Sequence, residues 1–395
     1  MRSVVHLYPI MSLIFSTEEG WIISHLKFLN NIYTNVKNNN TQCKLIFDEI
    51  LFEINSQYLR QNQTTQSEQQ EGISLQSKSR KRKRSKLLPD ADLKEINYIK
   101  KTFSKIISIV KTEGLISTNI LSDNNEAARL ASQKFYQDTF CNEEENFYGC
   151  NDMDIAITSE LKEKRYVFPQ KCKFYCYDVR DIANKLGLNN QYDFILLDPP
   201  WWNKSIRRKK NKYSEASYKM MYNEELAKIP IGKLLCSNGL VAIWCTNAPS
   251  HLHSIFNDIF PSWGVTYRAK WYWVKITQGG NTICNFNSAP GKQPYELLVL
   301  GSVVNGNEIN IPSGKLLISV PSAVHSHKPP LTEVMREYLP NEPKCLEIFA
   351  RYLLPKWTSW GLEVLKFQHL SLYTMIEETK KNQNNTNTAV NKLNN

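Results

Sequence analysis

The chain has no Cys-x-x-Cys pair, no Gly-x-Gly-x-x-Gly fingerprint, no P-loop motif and no long apolar run. Each absence excludes a class of protein. Without paired cysteines a structural zinc is not expected, and no metal site is. Without the glycine fingerprints, neither a dinucleotide site of the usual kind nor a P-loop nucleotide site is expected. No apolar stretch approaches the roughly 20 residues that a spanning helix needs, so no membrane partner is expected. The N-terminus also lacks the charged, apolar and small-residue sections of a secretory signal. The nine cysteines are odd in number and follow no framework spacing, which points to a reducing compartment, nucleus or cytosol. The nearest pair, Cys172 and Cys176, sits in a strand-like run and reads as packing.

General basicity is lacking too, although the formal net charge is +11. Seven cations lie between Lys78 and Lys86, and six more (Lys204, Arg207, Arg208, Lys209, Lys210, Lys212) lie between Lys204 and Lys212, with no acid in either stretch. Without those thirteen the remainder stands at about −2, so two local patches carry the charge. Arg80 to Arg84 reads either as a solvated charge run or as a nuclear-import signal; its short, pure composition within a polar stretch favours the second.

Composition and periodicity divide the chain. Residues 1–60 read as a helical N-terminal unit, with Trp21, Ile22, His25 and Leu29 on one stripe. Residues 61–90 read as a disordered basic linker rich in Gln, Ser and Thr. Residues 91–165 read as a helical middle region. Residues 166–371 alternate strands and helices, the pattern of an α/β domain with a mostly parallel sheet of about seven strands. Within it, Leu331 to Leu339 reads as a helix and Trp357 to Trp360 as part of a Trp-rich turn. Residues 372–395 read as a disordered tail.

The stretch around which this domain is organised is Tyr192 to Trp201, Y-D-F-I-L-L-D-P-P-W. Phe194 to Leu197 is a buried-strand run that stops at Asp198, because Pro199 and Pro200 cannot extend a ladder or a helix. An acid, two rigid residues and an indole thus end a central strand, where open α/β sheets bind ligands. Such a group suits transfer to an adenine amine, whose lone pair is delocalised into the ring. Asp198 and the Pro199 carbonyl can each accept one amine hydrogen and aim that lone pair, and Trp201 offers a face for a base. The bland alternative is a strand followed by a Pro-Pro turn and a core tryptophan. Asp178, ending a neighbouring strand, reads as a helix cap or as a ligand to a cofactor.

Taken together, D-P-P-W, Y-D-V-R (Tyr177 to Arg180), S-H-K-P-P (Ser326 to Pro330), E-I-F-A-R (Glu347 to Arg351) and W-T-S-W-G (Trp357 to Gly361) resemble the adenosine N(6)-methyltransferase family named after its seventy-kilodalton subunit. The likeness covers about Cys172 to His369. It implies a class I, Rossmann-like, S-adenosylmethionine-dependent methyltransferase fold with permuted motif order, D-P-P-W preceding E-I-F-A-R. By motif position, Asp198, Pro199, Pro200 and Trp201 would be catalytic. Asp178, Val179, Asp198, Lys328, Arg351 and Glu363 would bind S-adenosyl-L-methionine. The loop of six cations with Tyr213 would grip nucleic acid. The implied substrate is adenine in RNA, notably 2′-O-methyladenosine in U2 small nuclear RNA. Adenine in DNA is an alternative, and so is a catalytically weak nucleic-acid-binding member of the fold. A nuclear monomer is expected. Tyr352 and Leu362 stand where the family pattern carries asparagines, at the cofactor end, and Trp202 stands where an acid is common.

Overall fold

The computed structural model describes residues 12–58, 90–116, 123–139, 146–202, 220–287, 292–304 and 309–377. The strands in chain order are β1 (Leu13–Thr17), β2 (Gly20–Ile23), β3 (Val36–Asn38), β4 (Thr41–Phe47), β5 (Phe147–Asn151), β6 (Ala156–Leu161), β7 (Lys164–Phe168) and β8 (Cys172–Cys176). They continue as β9 (Tyr192–Leu197), β10 (Leu235–Cys245), β11 (Val265–Lys275), β12 (Tyr295–Val303), β13 (Leu316–Ser319), β14 (Cys345–Ile348), β15 (Trp357–Trp360) and β16 (Tyr373–Glu377). The helices used below are α1 (His25–Ile32), α2 (Asp90–Thr112), α3 (Glu126–Thr139), α4 (Ile182–Leu186) and α5 (Asn223–Ala227).

Eleven strands form one sheet in the order β1-β2-β13-β11-β12-β10-β9-β14-β15-β8-β5. Its centre, β10-β9-β14-β15-β8, is parallel throughout. From β9 the chain crosses to β10 on one side, whereas from β14 it passes to β15 on the other. The direction of winding therefore reverses between β9 and β14, whose ends Leu197 and Ile348 lie side by side. A crevice outside the carboxyl ends of two such strands is where this architecture binds ligands.

Both faces of the central strands are covered, which is why they read as continuous apolar runs. Ile195 and Leu197 point into one core, which also holds Ile99, Ile106 and Val110 of α2. Phe194 and Leu196 point into the other, with Phe28 and Leu29 of α1 and Phe135 of α3. A second sheet, β16-β4-β3-β6-β7, closes over a small core of Tyr33, Val36, Cys43, Leu45, Ala156 and Val167. Gln368 ties it to the main domain, its Nε2 donating to Tyr33 Oη at 2.8 Å and to the Val167 carbonyl at 2.6 Å.

Several expectations are corrected. Residues 1–60 are not a helical unit: of the apolar stripe only His25–Ile32 is α-helical, and β1 to β4 are strands. Gly20–Ile23 is buried on both faces beside β13, and Cys43, Leu45 and Phe47 alternate with more exposed neighbours, a period of two that short apolar runs conceal. The middle region is helical over α2 and α3, but β5 to β7 begin at Phe147. Trp357–Trp360 is a buried parallel strand. Between Pro330 and Pro340 there is turn and a 3-10 helix (Arg336–Tyr338), although the Met335 N–H does reach the Leu331 carbonyl at 2.9 Å. The start of the supposed tail is β16, paired with β4. Cys172 and Cys176 are buried in β8, as packing requires. The linker, the run Arg80 to Arg84 and the rest of the tail lie outside the described residues.

Candidate active site

Asp198 follows β9 directly, and its backbone N–H is bonded to the Ile348 carbonyl at 3.3 Å, fixing it at the β9–β14 junction. Two cations face its carboxylate. Lys328 Nζ lies 3.0 Å from Oδ1 and an Arg351 guanidinium nitrogen 3.8 Å from Oδ2. Lys328 also reaches Glu296 Oε2 at 3.1 Å, and Lys275 pairs with the other oxygen of Glu296. Arg351 Nε donates to Glu363 Oε2 at 2.8 Å, and Lys366 pairs with the same carboxylate. β9, β11, β12 and the segments after β13, β14 and β15 thus converge on one ionic network.

Burial and pairing compete at each member. Burial alone would raise the Glu296 carboxyl, but Lys275 and then Lys328 hold it far below the usual range. Burial alone would lower Lys328, and Asp198 and Glu296 reverse this to a net rise. Glu363 is raised by burial and lowered more strongly by Lys366 and Arg351. Glu347 differs. Burial pushes it up, Asp198 pushes it further, and Arg351 and Lys328 only partly offset them, leaving it at about 8. Its Oε2 has no hydrogen-bond partner among the described residues, nor has Ser359 Oγ, its cross-strand neighbour.

The D-P-P-W segment turns tightly. The Pro199 carbonyl accepts from Trp201 N–H at 2.8 Å, leaving its second lone pair. The Pro200 carbonyl accepts from Met221 N–H at 2.9 Å. Trp201 departs from expectation. It is 5% exposed, its Nε1 donates to the Trp244 carbonyl at 2.8 Å, and the His251 ring lies 4.8 Å from it. Trp201 holds the turn and presents no open face to a base, because burying an indole requires a partner for its N–H and this carbonyl supplies one.

Beside Asp198 lies a cavity open to solvent and lined among others by Asp178, Val179, Phe349, Arg351, Leu362 and Glu363. Asp178 caps the 3-10 turn Val179–Asp181 and is paired with Arg180, whose Nη2 lies 2.6 Å from Oδ2, so cap and pocket wall are the same residue. Phe349 has φ 65°, a left-handed conformation that costs an L-residue roughly 1–2 kcal/mol and keeps the E-I-F-A-R backbone turned along the pocket. Gly361 is needed for close approach: a Cβ there would sit 2.7 Å from the Ala350 carbonyl oxygen. Apolar walls with carboxylates and a guanidinium at the edges fit an elongated ligand with a flat ring, hydroxyls and a charged end.

Of the residues expected at the site, Asp178, Val179, Asp198, Pro200, Arg351 and Glu363 line this cavity. Lys328 does not; it is buried behind Asp198, committed to two carboxylates. Tyr352 also points away, its ring 5.5 Å from His327 in the opposite core, so only Leu362 of the two departures reaches the pocket, 61% exposed. Lys204 to Tyr213 lie outside the described residues. Sequence reasoning passed over Lys275 and Glu296, although charges inside otherwise apolar strands signal a buried pair.

Residues 192–363 match the MT-A70 family. The chain carries an MT-A70 domain. Its α/β sheet is that of class I methyltransferases, with D-P-P-W on β9 preceding E-I-F-A-R on β14. Over 265 residues (64% of this chain, 55% of the relative) it is 38% identical to the human N(6)-adenine-specific methyltransferase METTL4. It is 33% identical to the N6-methyladenosine RNA methyltransferase MTA1 of Pyricularia oryzae over 58% of the chain and 62% of the relative. It is 31% identical to a DNA N6-methyl methyltransferase of Caenorhabditis elegans, over 58% and 61%. The chain thus spans about half to three fifths of the length of these relatives.

Proposed function

We infer that this MT-A70 protein is an S-adenosylmethionine-dependent N(6)-adenine methyltransferase acting on RNA. Asp198, fixed at the β9–β14 junction between two cations and beside the cavity, is the observation that carries the reading. S-adenosylmethionine, when bound, supplies an electrophilic methyl group on a positively charged sulfur. Asp178, Val179, Leu362 and Glu363 would hold its nucleoside end, and Arg351 its charged end. Asp198 accepts one N6 hydrogen of the target adenine, and the second lone pair of the Pro199 carbonyl accepts the other. Together they aim the nitrogen lone pair, and Asp198 takes up the proton that the amine releases on methylation. Lys328 and Arg351 keep the acceptor carboxylate from swinging away.

The finer reading is 2′-O-methyladenosine in U2 small nuclear RNA, reached by a monomer in the nucleus, with Arg80 to Arg84 as import signal and Lys204 to Tyr213 gripping the strand. The name of the Caenorhabditis elegans relative favours a second reading, adenine in DNA. Purified protein would be incubated with methyl-labelled S-adenosylmethionine and matched oligonucleotides of DNA, RNA and RNA carrying 2′-O-methyladenosine. Label is expected in N6-methyladenosine of the RNA, highest on the 2′-O-methylated strand, and absent with Asp198→Ala. Label in DNA alone would transfer the reading to the second substrate; label in none, with tight binding retained, would sink both.

A further inference from the structure

The turn that carries the two prolines runs directly into a pair of rings to which the chemistry above assigns no task. Trp201 is anchored below by the Trp244 carbonyl and by His251. His251, lowered by burial, is also hydrogen-bonded to the Trp202 backbone. Across from them, Met221 bonds the Pro200 carbonyl and pairs with Trp201 as an isolated parallel bridge. Glu225 Oε2 accepts the Tyr222 N–H at 2.8 Å at the start of α5. Two short segments are therefore pinned side by side, and the next side chain on each is an aromatic.

Those side chains are Trp202 and Tyr222, stacked with ring centroids 6.3 Å apart and planes 19° apart. Trp202 is half-buried and Tyr222 is 57% exposed. Met221, next to Tyr222, and Pro200, two residues before Trp202, line the cavity, so the pair stands near its rim. Neither ring belongs to a core cluster. The backbone beneath them is held far more firmly than two mutually shielding surface rings require. In sequence, the run Lys204 to Lys212 follows at once with six cations and no acid, the charge that a phosphate backbone calls for.

We propose that Trp202 and Tyr222 are a stacking platform for an unpaired base of a single-stranded nucleic acid, the base next to the target adenine. This rests on the nucleic-acid reading above. Every base offers a π-face, so the platform supplies affinity and strand orientation without reading sequence, at about 1–3 kcal/mol per stacked base. Trp201 faces inward, so the first ring beyond the turn that reaches the rim is that of Trp202.

The test is binding of the full chain, without cofactor, to two fluorescent single strands. One carries adenine with intact neighbours; the other has abasic sugars beside the adenine. Trp202→Ala should weaken binding of the intact strand about 10–100-fold and Tyr222→Ala several-fold, while Trp202→Phe keeps most of the affinity. The abasic strand should bind the wild type weakly and be nearly indifferent to all three changes. Where Trp202→Ala proves unstable in thermal unfolding, Tyr222→Ala and Trp202→Phe carry the same comparison. Equal losses on intact and abasic strands, or no loss on either, would overturn the proposal. A wild type that methylates nothing yet shows this coupling would fail the enzymatic reading and leave the platform standing. An active wild type without the coupling would fail the platform alone.

Discussion

Two walls meet at the crevice, and they handle buried polarity in opposite ways. On the β9–β12 side, Asp198 and Glu296 are paired with Lys328, Lys275 and Arg351, and Glu296 stays charged although partly buried. On the β14–β15 side, Glu347 is more deeply buried, has no ion pair among the described residues, sits at about 8 and is protonated near neutral pH. Ser359 and Tyr352, around it, also have hydroxyls without partners among the described residues. At Glu296 two paired cations outweigh partial burial, whereas at Glu347 deeper burial acts with no ion pair to offset it. The ionic wall positions Asp198 beside the cavity, whereas Glu347, Ser359 and Tyr352 lie outside its lining.

Breaking the ionic wall should have the largest effect. Lys328→Met removes the buried cation that Asp198 and Glu296 share, leaving them to Arg351 and Lys275, and denaturant unfolding should show a loss of roughly 3–5 kcal/mol. A loss below about 1 kcal/mol would mean that water reaches and replaces the pairing.

The unpaired wall is probed by pH. Below its ordinary value of 4.5, Glu347 is protonated in both folded and unfolded chains, and between 4.5 and about 8 only the folded chain keeps the proton. Its contribution to stability therefore declines as pH rises through that window. Glu347→Gln should remove the decline, so that its stability relative to wild type improves by about 2–4 kcal/mol between pH 5 and pH 8. Parallel wild-type and variant curves would show that Glu347 is ionised and has a cation of its own. His327 acts on the acid side in both proteins. Burial lowers it to about 3 from 6.5, so the stability it supports is present above 6.5 and lost as pH falls toward 3.

The smallest effect is expected at the rim of the cavity. Leu362→Asn would offer an amide to the ligand at an exposed position on the rim. Calorimetric titration with S-adenosylmethionine should show roughly three- to tenfold tighter binding, the worth of about one net hydrogen bond. The corresponding Tyr352→Asn faces away from the cavity and should instead cost stability with little change in affinity. Tighter binding from Tyr352→Asn and none from Leu362→Asn would reverse which of the two side chains faces the cavity.

Legibility varied with the range of the interaction that decides each feature. β9, its arrest at Asp198 and the tight Pro-Pro turn were readable, since each depends on neighbouring residues. The N-terminal strands were not. Gly20–Ile23 is an apolar run that suits a helix equally well, and only pairing with β13, contributed from far along the chain, makes it a strand. Trp201 was readable as an aromatic at the site, but the carbonyl that turns it inward comes from β10. Lys328 was placed at the right strand end, but its carboxylate partners, just after β9 and on β12, were not readable from neighbouring residues.

The sequence by itself determined an α/β domain with an acid, two prolines and an indole at a strand end, and a charge gathered into two patches. Spacing, rigidity and composition are local properties that survive without a fold. Only the tertiary structure decided which of the enclosed acids are charged, which of Tyr352 and Leu362 reaches the cavity, and which tryptophan faces out. Those outcomes depend on distances between groups brought together from separate strands, where a few ångströms decide whether a charge is paired or a proton is kept.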